Sequence, residues 1–543
     1  MSRVARPYQA QCIENVEKAF ELHCAVMAVL PTGTGKSFIF SQLMSRFRPK
    51  RSLILSHRGE LVFQGARQAE YTGMDIAIEK ADFIASAGLF NRADGVSASI
   101  QTMVSKNGDK QRMHKWKPTD FGLIVADECH HFNAKTFKSV IDYFRNGNPE
   151  IKIFGCTATP MRSDERALGV VFEHCAYRYE ILSAIEDGWL VPVKTLGLHV
   201  DDLDFSHIKT SDGDLNQAAL GALLMQEKPM HKIAQGVLEA VFSLEPNTLH
   251  GIPVEEWESY LTGHDTAPRS TLCFTPTVAH AKALTEIFNR VVFGIAEWIC
   301  GKTREEDRNT TNERFKSGRI PILVNCGTHT EGVDVPRAEI IVPKPTKSHS
   351  LLIQMIGRGF RPAEVGGKSI VDQYPSADER KAAIVKSRKP MCLVLDFYGV
   401  NGRHKLVTPS DVLGGKYPEE VRELARENAR AKMRPVDMTE EMKAAEKQLR
   451  IRAEEERRRE AAKAKKVVGR VKYKVTSIDP FDNTSAAPVK MVAKIPRTGS
   501  ELSQRQKWRL SSSIGIDPNA TPLWKCLKLL GDYFKNQPKK VNL

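Results

Sequence analysis

The chain has 543 residues, 41% hydrophobic, 27% charged and 7% aromatic, which suits roughly three globular domains and excludes disorder throughout. No run of 18 apolar residues occurs and the start, MSRVARPYQAQ, lacks the apolar stretch of a signal peptide, so the expectation is a cytoplasmic protein with no membrane span. The net charge of +15 is uneven, because residues 401–543 hold 32 Lys and Arg against 18 Asp and Glu, and a basic appendage of +14 points to a polyanionic partner.

From residue 1 to about 190 the apolar runs CAVMAVL (24–30), SLILS (52–56), FGLIVA (121–126) and IKIFGCTAT (151–159) alternate with helical patterns. Such runs fit strands buried on both faces of a parallel sheet. Residues 201–268 have no comparable set of strands; ALGALLMQEKPMHKIAQGVLEAVF, broken by Pro229, predicts a helical insertion or linker there. The rhythm returns in STLCF (270–274), IPILVN (320–325), EIIVP (339–343) and MCLVLDF (391–397), so 269–400 reads as a second domain. The expected fold class is α/β: two tandem parallel-sheet domains with a charged helical C-terminal extension.

The extension divides into a basic part, 401–499, and a small helical module, 500–543. In 417–467, Glu446 with Arg450, Glu454 with Arg458 and Glu455 with Arg459 stand at i,i+4, while Met442, Leu449 and Ile451 are too few for a heptad seam, which predicts a solvated helix. KAKKVVGRVKYK (463–474) sets basic residues beside Tyr473, and Lys525, Lys528 and Lys535 accompany Trp524 on a stretch with Leu523, Leu527, Leu530 and Phe534 at helical spacing. Basic and aromatic residues together suit strand binding, and Trp524 equally suits a small core. The ten cysteines include no CxxC pair, so no zinc ribbon or disulfide framework is expected.

The chemistry concentrates in AVLPTGTGKSFIF, where an apolar strand runs through Thr32, Gly33, Thr34, Gly35, Lys36 and Ser37 into a helix. Glycines let backbone amides approach phosphates, the helix start adds its dipole, Lys36 would bridge the terminal phosphates and Ser37 would ligate magnesium. Leu30 stands where the usual motif has its first glycine. A second strand, FGLIVA, ends in Asp127-Glu128-Cys129-His130, which offers Asp127 to hold a metal and Glu128 to polarise the attacking water. Cys129, His130 and His131 have no second Cys or His pair at zinc spacing.

With these motifs in their order, the chain resembles a superfamily 2 helicase of the DEAD/DEAH group in its DECH variant, from Arg6 to about Gly399. The resemblance implies two RecA-like domains with ATP and Mg2+ between them. RPYQ (6–9) is similar to the adenine-recognition motif, with Gln9 reading the base. SHRGELVFQ (56–64) and SIQT (99–102) resemble strand-gripping segments, which implies contacts from His57, Arg58, Gln101 and Thr102, and TATP (157–160) resembles the motif coupling hydrolysis to domain movement. FTPTVAHA (274–281) and THTEGVDVP (328–336) resemble the fourth and fifth motifs, implying strand contacts from Thr275, Thr328 and Thr330 and nucleotide contacts from Gly332 and Asp334. QMIGRGFR (354–361) matches the sixth, so Arg358 and Arg361 would reach the terminal phosphates across the cleft, with Gln354 and His130 facing each other there.

The DECH box, TATP and QMIGRGFR look closer to RadD-type, XPB-like and restriction-subunit motors than to RNA-unwinding DEAD-box proteins, so DNA is favoured over RNA as partner. The resemblance to RadD-type proteins does not extend to their cysteine-rich tails, so no zinc is carried over. The compact size would suit a phage or plasmid-borne version. The implied activity is an ATP-dependent DNA helicase or translocase; a nucleic-acid-stimulated ATPase that remodels complexes, an RNA helicase and a non-enzymatic binding protein are the alternatives.

Overall fold

The computed structural model describes residues 4–57, 59–70, 72–80, 83–86, 93–107, 110–129, 134–158, 171–211, 213–262, 267–327, 337–400, 406–413, 417–432, 436–468, 512–515 and 529–530. Two seven-stranded sheets organise the chain up to the tail. The first comprises β1 (Ala25–Val29), β2 (Arg51–Ser56), β3 (Ile76–Glu79), β4 (Gly95–Ser99), β5 (Phe121–Asp127), β6 (Lys152–Thr157) and β7 (His174–Arg178), in the order 3-4-2-5-6-1-7, with every pairing parallel. β1, β2 and β5 are buried along their whole length, as expected of Val/Ile/Leu-rich strands covered by helices on both faces.

The second sheet comprises β8 (Val193–Asp204), β9 (Thr271–Phe274), β10 (Ala296–Cys300), β11 (Ile322–Cys326), β12 (Ile340–Val342), β13 (Cys392–Val400) and β14 (Val436–Asp437), in the order 10-11-9-12-13-8-14. All pairings are parallel except that of β14, which runs antiparallel to β8 at the edge. The sequence reading set 201–268 apart as an insertion or linker, and the structure corrects this. β8 hydrogen-bonds to β13, and Leu203, Phe205, Leu220, Ile233, Val237 and Trp257 lie in the second sheet's own core. The amphipathic helix Glu227–Val241 and the largely apolar helix Gln217–Leu224 cover the apolar face that the sheet would otherwise expose.

The extension also departs from a solvated helix over 417–467. In helix Glu419–Ala431, Val421, Ala425 and Ala429 are buried, and the first turns of helix Met438–Val468 bury Met442 and Ala445. These small apolar residues at helical spacing are enough to dock a helix against a packed body. From Arg450 to Glu460 the helix is exposed, and there Arg450 pairs with Glu454 at 3.7 Å. The KAKKVVGRVKYK stretch from Gly469 on and Trp524 lie outside the described residues; of the module at 500–543, Leu530 is buried against Leu529 and Ile514. No helix among the described residues is long and apolar enough to cross a membrane.

Candidate nucleotide site

The strand registers bring the chemistry together. β6 lies between β1 and β5, with Val29 opposite Thr157 and Asp127 opposite Cys156, so the carboxyl ends of three adjacent strands finish level. In a parallel sheet that edge is where ligands bind. After β1 the chain turns through Leu30, whose amide donates to Thr157 O at 3.0 Å, and the Thr34 hydroxyl donates to Pro31 O at 2.7 Å. Gly33 and Gly35 have φ of 92° and 80°, a left-handed region that glycine enters at no steric cost. Helix α1 (Lys36–Arg46) follows, capped by Gly35 with no side chain bonded to its first amides. A helix start of this kind leaves N–H groups for an anion.

Lys36 crosses to the second carboxylate: its Nζ stands 2.5 Å from Glu128 Oε1, with side chains 10% and 13% exposed. Burial pulls the ammonium's pKa down, but Glu128 first, then Cys156 and Asp127, outweigh it and the pKa is raised. Asp127, at the end of β5, is pushed up to about 6 by burial and by the neighbouring Glu128 charge, against the opposing pull of Lys36. The Cys156 thiol donates to Asp127 Oδ1 at 3.3 Å, and burial raises the thiol's own pKa. Glu128 itself has φ 49°, a strained conformation for a residue with a Cβ that typically costs about 1–3 kcal/mol. The turn after β5 thus holds this carboxylate where a relaxed strand would not.

Gln9 lies below the phosphate loop. Its Nε2 donates to Thr34 O at 2.9 Å, its Oε1 accepts from Arg6 N at 2.9 Å, and the Tyr8 hydroxyl joins it on Thr34 O at 2.7 Å. From the second sheet, helix His349–Gly357 and the turn after it close on the loop. A Cβ on Gly33 would stand 3.1 Å from Arg361 Cγ, and one on Gly357 would stand 2.9 Å from Thr32 Cβ. Gln354 is buried on that helix and Arg358 forms its C-cap.

Several contacts here carried no signal in the sequence. Arg6 bonds Asp372 through Nε at 2.9 Å and Nη2 at 2.7 Å. Arg6 and Arg380 both lie over the Trp189 ring, 4.9 and 3.9 Å from its centroid, and Tyr8 stacks on Tyr179 at 4.8 Å. Nothing local marks these partners, since Trp189 stands far along the chain from both arginines.

The strand-contact candidates divide. His57 follows β2 half-buried, and Gln101 is exposed on helix Ile100–Val104. Thr102 is buried, with its hydroxyl 2.8 Å from the capping Ser99 Oγ, and Thr275 is buried, donating to Asn325 O at 3.1 Å. Arg58, His130, Thr328, Thr330, Gly332 and Asp334 lie outside the described residues, as do the last two residues of TATP.

Two family models match the chain: the type III restriction enzyme res subunit over residues 3–162, and the helicase conserved C-terminal domain over 254–363. The putative ATP-dependent helicase IRC3 of Saccharomyces cerevisiae is 31% identical over 66% of this chain and 49% of its own length. The putative mitochondrial ATP-dependent helicase irc3 of Schizosaccharomyces pombe is 30% identical over 77% of this chain and 61% of its own. The type I restriction enzyme EcoAI endonuclease subunit of Escherichia coli is 25% identical over 67% of this chain and 45% of its own. The chain therefore spans about half to three fifths of the length of the two helicase relatives.

Proposed function

Because the chain belongs to the superfamily 2 helicases, we propose that it is an ATP-dependent DNA helicase or translocase, hydrolysing ATP between two RecA-like lobes to move on or unwind nucleic acid. The observation that supports this most is the meeting of Lys36, Asp127 and Glu128 at one sheet edge with Arg361 laid against Gly33 from the other lobe. Charge on a transferring phosphoryl group needs cations from both sides, and an arginine that arrives with the second lobe makes closure a condition of hydrolysis.

The donor set fits a nucleotide with magnesium: Ser37 and Asp127 offer hard oxygens, and Thr32, Gly33, Thr34, Gly35 and Lys36 wrap the phosphates with backbone amides. Magnesium bound there would neutralise phosphate charge. Lys36, released from Glu128, turns to the terminal phosphates, and the freed Glu128 carboxylate accepts a proton from the attacking water. Arg358 and Arg361 stabilise the charge that develops, and Gln354 and His130 report closure from the two walls. Gln9, already bonded to the loop, is the candidate for reading adenine, and Gly332 and Asp334 are candidates for the far side of the nucleotide.

For the strand, His57, Arg58, Gln101, Thr328 and Thr330 are the proposed contacts, while the bonded hydroxyls of Thr102 and Thr275 shape the turns beside them. The relative named as a restriction endonuclease subunit favours DNA. The basic tail is the proposed second grip. ATPase rate measured with single-stranded DNA, duplex DNA and RNA, alongside strand displacement, tests this reading. Stimulation greatest with DNA is expected; stimulation by RNA alone would favour the RNA helicase, hydrolysis without strand displacement the remodelling ATPase, and indifference to every nucleic acid would refute the motor.

A further inference from the structure

Away from the cleft, the second lobe holds a cavity of about 390 Å3 beside helix Glu227–Val241. Small-molecule sites typically span roughly 300–1,000 Å3. On that helix Lys228, His231, Lys232 and Gln235 all line the cavity, and their spacing puts them on one face. His250 also lines the cavity, and Ile252 and Trp257 supply apolar surface.

The loop that carries His250 is exposed but is anchored by a buried carboxylate. Glu239, 3% exposed, accepts from Gln235 Nε2 and Leu249 N at 2.8 Å and from Asn247 N at 2.9 Å. Asn247 and Gly251, at φ 67° and 81°, turn the loop around that carboxylate. Its negative charge is thus committed to loop amides, and the loop is preorganised to face His250 toward the helix.

The lining sets donors from Lys228, Lys232 and His250 beside acceptors from Asp202 and Gln235, whose amide nitrogen is held by Glu239. Lys232 Nζ lies 3.1 Å from His250 Nδ1, and an ammonium has only hydrogens to offer, so the His250 proton resides on Nε2. His231 Nδ1 lies 2.8 Å from Glu227 O, a carbonyl that only accepts, so that nitrogen carries the proton, and Nε2 donates to an anion only once the ring is protonated. The carboxylate among the lining residues, Asp202, lies 3.5 Å from Lys228, and both are exposed enough for water to screen the pair. Two ammonium groups and the His250 Nε2–H therefore stand beside one carboxylate in a partly open hollow.

We propose that this cavity is a phosphate site that takes a terminal phosphomonoester dianion, carried by the end of a nucleic-acid strand or by a free polyphosphate. Lysines bind phosphate as point charges and imidazole N–H groups add direction. A terminal phosphate carries more charge than a backbone diester, so it gains more from two ammonium groups. The site shares no residue with the nucleotide cleft, so it stands or falls separately from the proposed ATPase.

The test uses the full chain carrying Lys36→Ala, so that the phosphate loop does not compete. A single-stranded DNA with a 5′-phosphate is compared with the same DNA bearing a 5′-hydroxyl, and pyrophosphate binding is followed by calorimetry. The 5′-phosphate is expected to tighten binding about tenfold, the scale of one charge-assisted contact. Adding Lys232→Ala with His250→Ala abolishes that increment and the pyrophosphate heat, whereas Lys232→Arg keeps both. Pyrophosphate binding without a 5′-phosphate preference, lost in the double variant, identifies the free polyphosphate as ligand. Equal affinity for the two DNAs with no pyrophosphate heat, or an increment that survives in the double variant, overturns the proposal. Basal ATP turnover of the double variant with Lys36 restored stays at the parental rate, which shows that its lobes are folded.

Discussion

Lys36 and Glu128 are joined at 2.5 Å in a nearly buried ion pair, although each is the residue the other would have to release for hydrolysis. In the proposed nucleotide complex the lysine's partner would be a phosphate and the glutamate's a water, so binding would exchange one charge pair for another. Breaking a buried pair is costly even when new partners follow.

That exchange predicts opposite effects on binding and turnover. Glu128→Gln weakens the hold on Lys36 and is expected to tighten ATP binding by roughly tenfold while lowering turnover by at least about 100-fold. Lys36→Ala loses both. Calorimetric titration with ATP and a steady-state ATPase assay read the two quantities; wild-type turnover in Glu128→Gln would remove the glutamate from the chemistry.

Gly35 is expected to tolerate no side chain. Its φ is +80°, and a Cβ there would stand 2.6 Å from Gln9 Nε2. Gly35→Ala should destabilise the first lobe by about 1–3 kcal/mol and abolish nucleotide binding. Adding Gln9→Ala removes the contact but leaves the dihedral, so only part of the loss returns. Melting temperature and ATP affinity measure this, and a fully restored double variant would assign the whole effect to the clash.

The Arg6–Asp372 contact links the start of the chain to the second lobe, with side chains 12% and 31% exposed. A double-mutant cycle of Arg6→Ala and Asp372→Ala is expected to give a coupling of about 1 kcal/mol. Raising the salt concentration should reduce it. Strictly additive losses would mean that the two residues act independently.

His280, buried at 3% exposure with neither ring nitrogen hydrogen-bonded, predicts a loss of stability in acid. Burial lowers its pKa from 6.5 to about 4, so between those values the unfolded chain binds the proton and the folded one does not. The stability it supports is present above pH 6.5 and falls as the pH drops toward 4. From pH 7 to pH 5 the loss is about 2 kcal/mol. Denaturant titration at the two pH values should show the difference shrink by that amount in His280→Leu; an unchanged difference would place the acid sensitivity elsewhere.

How much of this was legible beforehand differs from element to element. Each of the apolar runs FGLIVA, SLILS and MCLVLDF became a strand, because strands buried on both faces need nearly continuous Val, Ile and Leu. β4, with the sequence GVSAS, was invisible: its Gly95 packs so close to β2 that an added Cβ would stand 2.8 Å from Ser52 O, and small residues chosen for close approach have no strand signature. β7 was missed because an edge strand with exposed side chains shows no apolar run.

The phosphate loop and the Asp127-Glu128 pair were determined by sequence alone, since left-handed glycines, a helix start and a strand-end carboxylate are requirements satisfied within a few residues of chain. Only the tertiary structure decided that Glu128 holds Lys36, that Arg361 lies on Gly33, that Arg6 reaches Asp372 and that Lys232 meets His250. Those meetings follow from sheet register and helix packing. Both are summed over many weak, non-directional contacts, and no single residue type records their outcome.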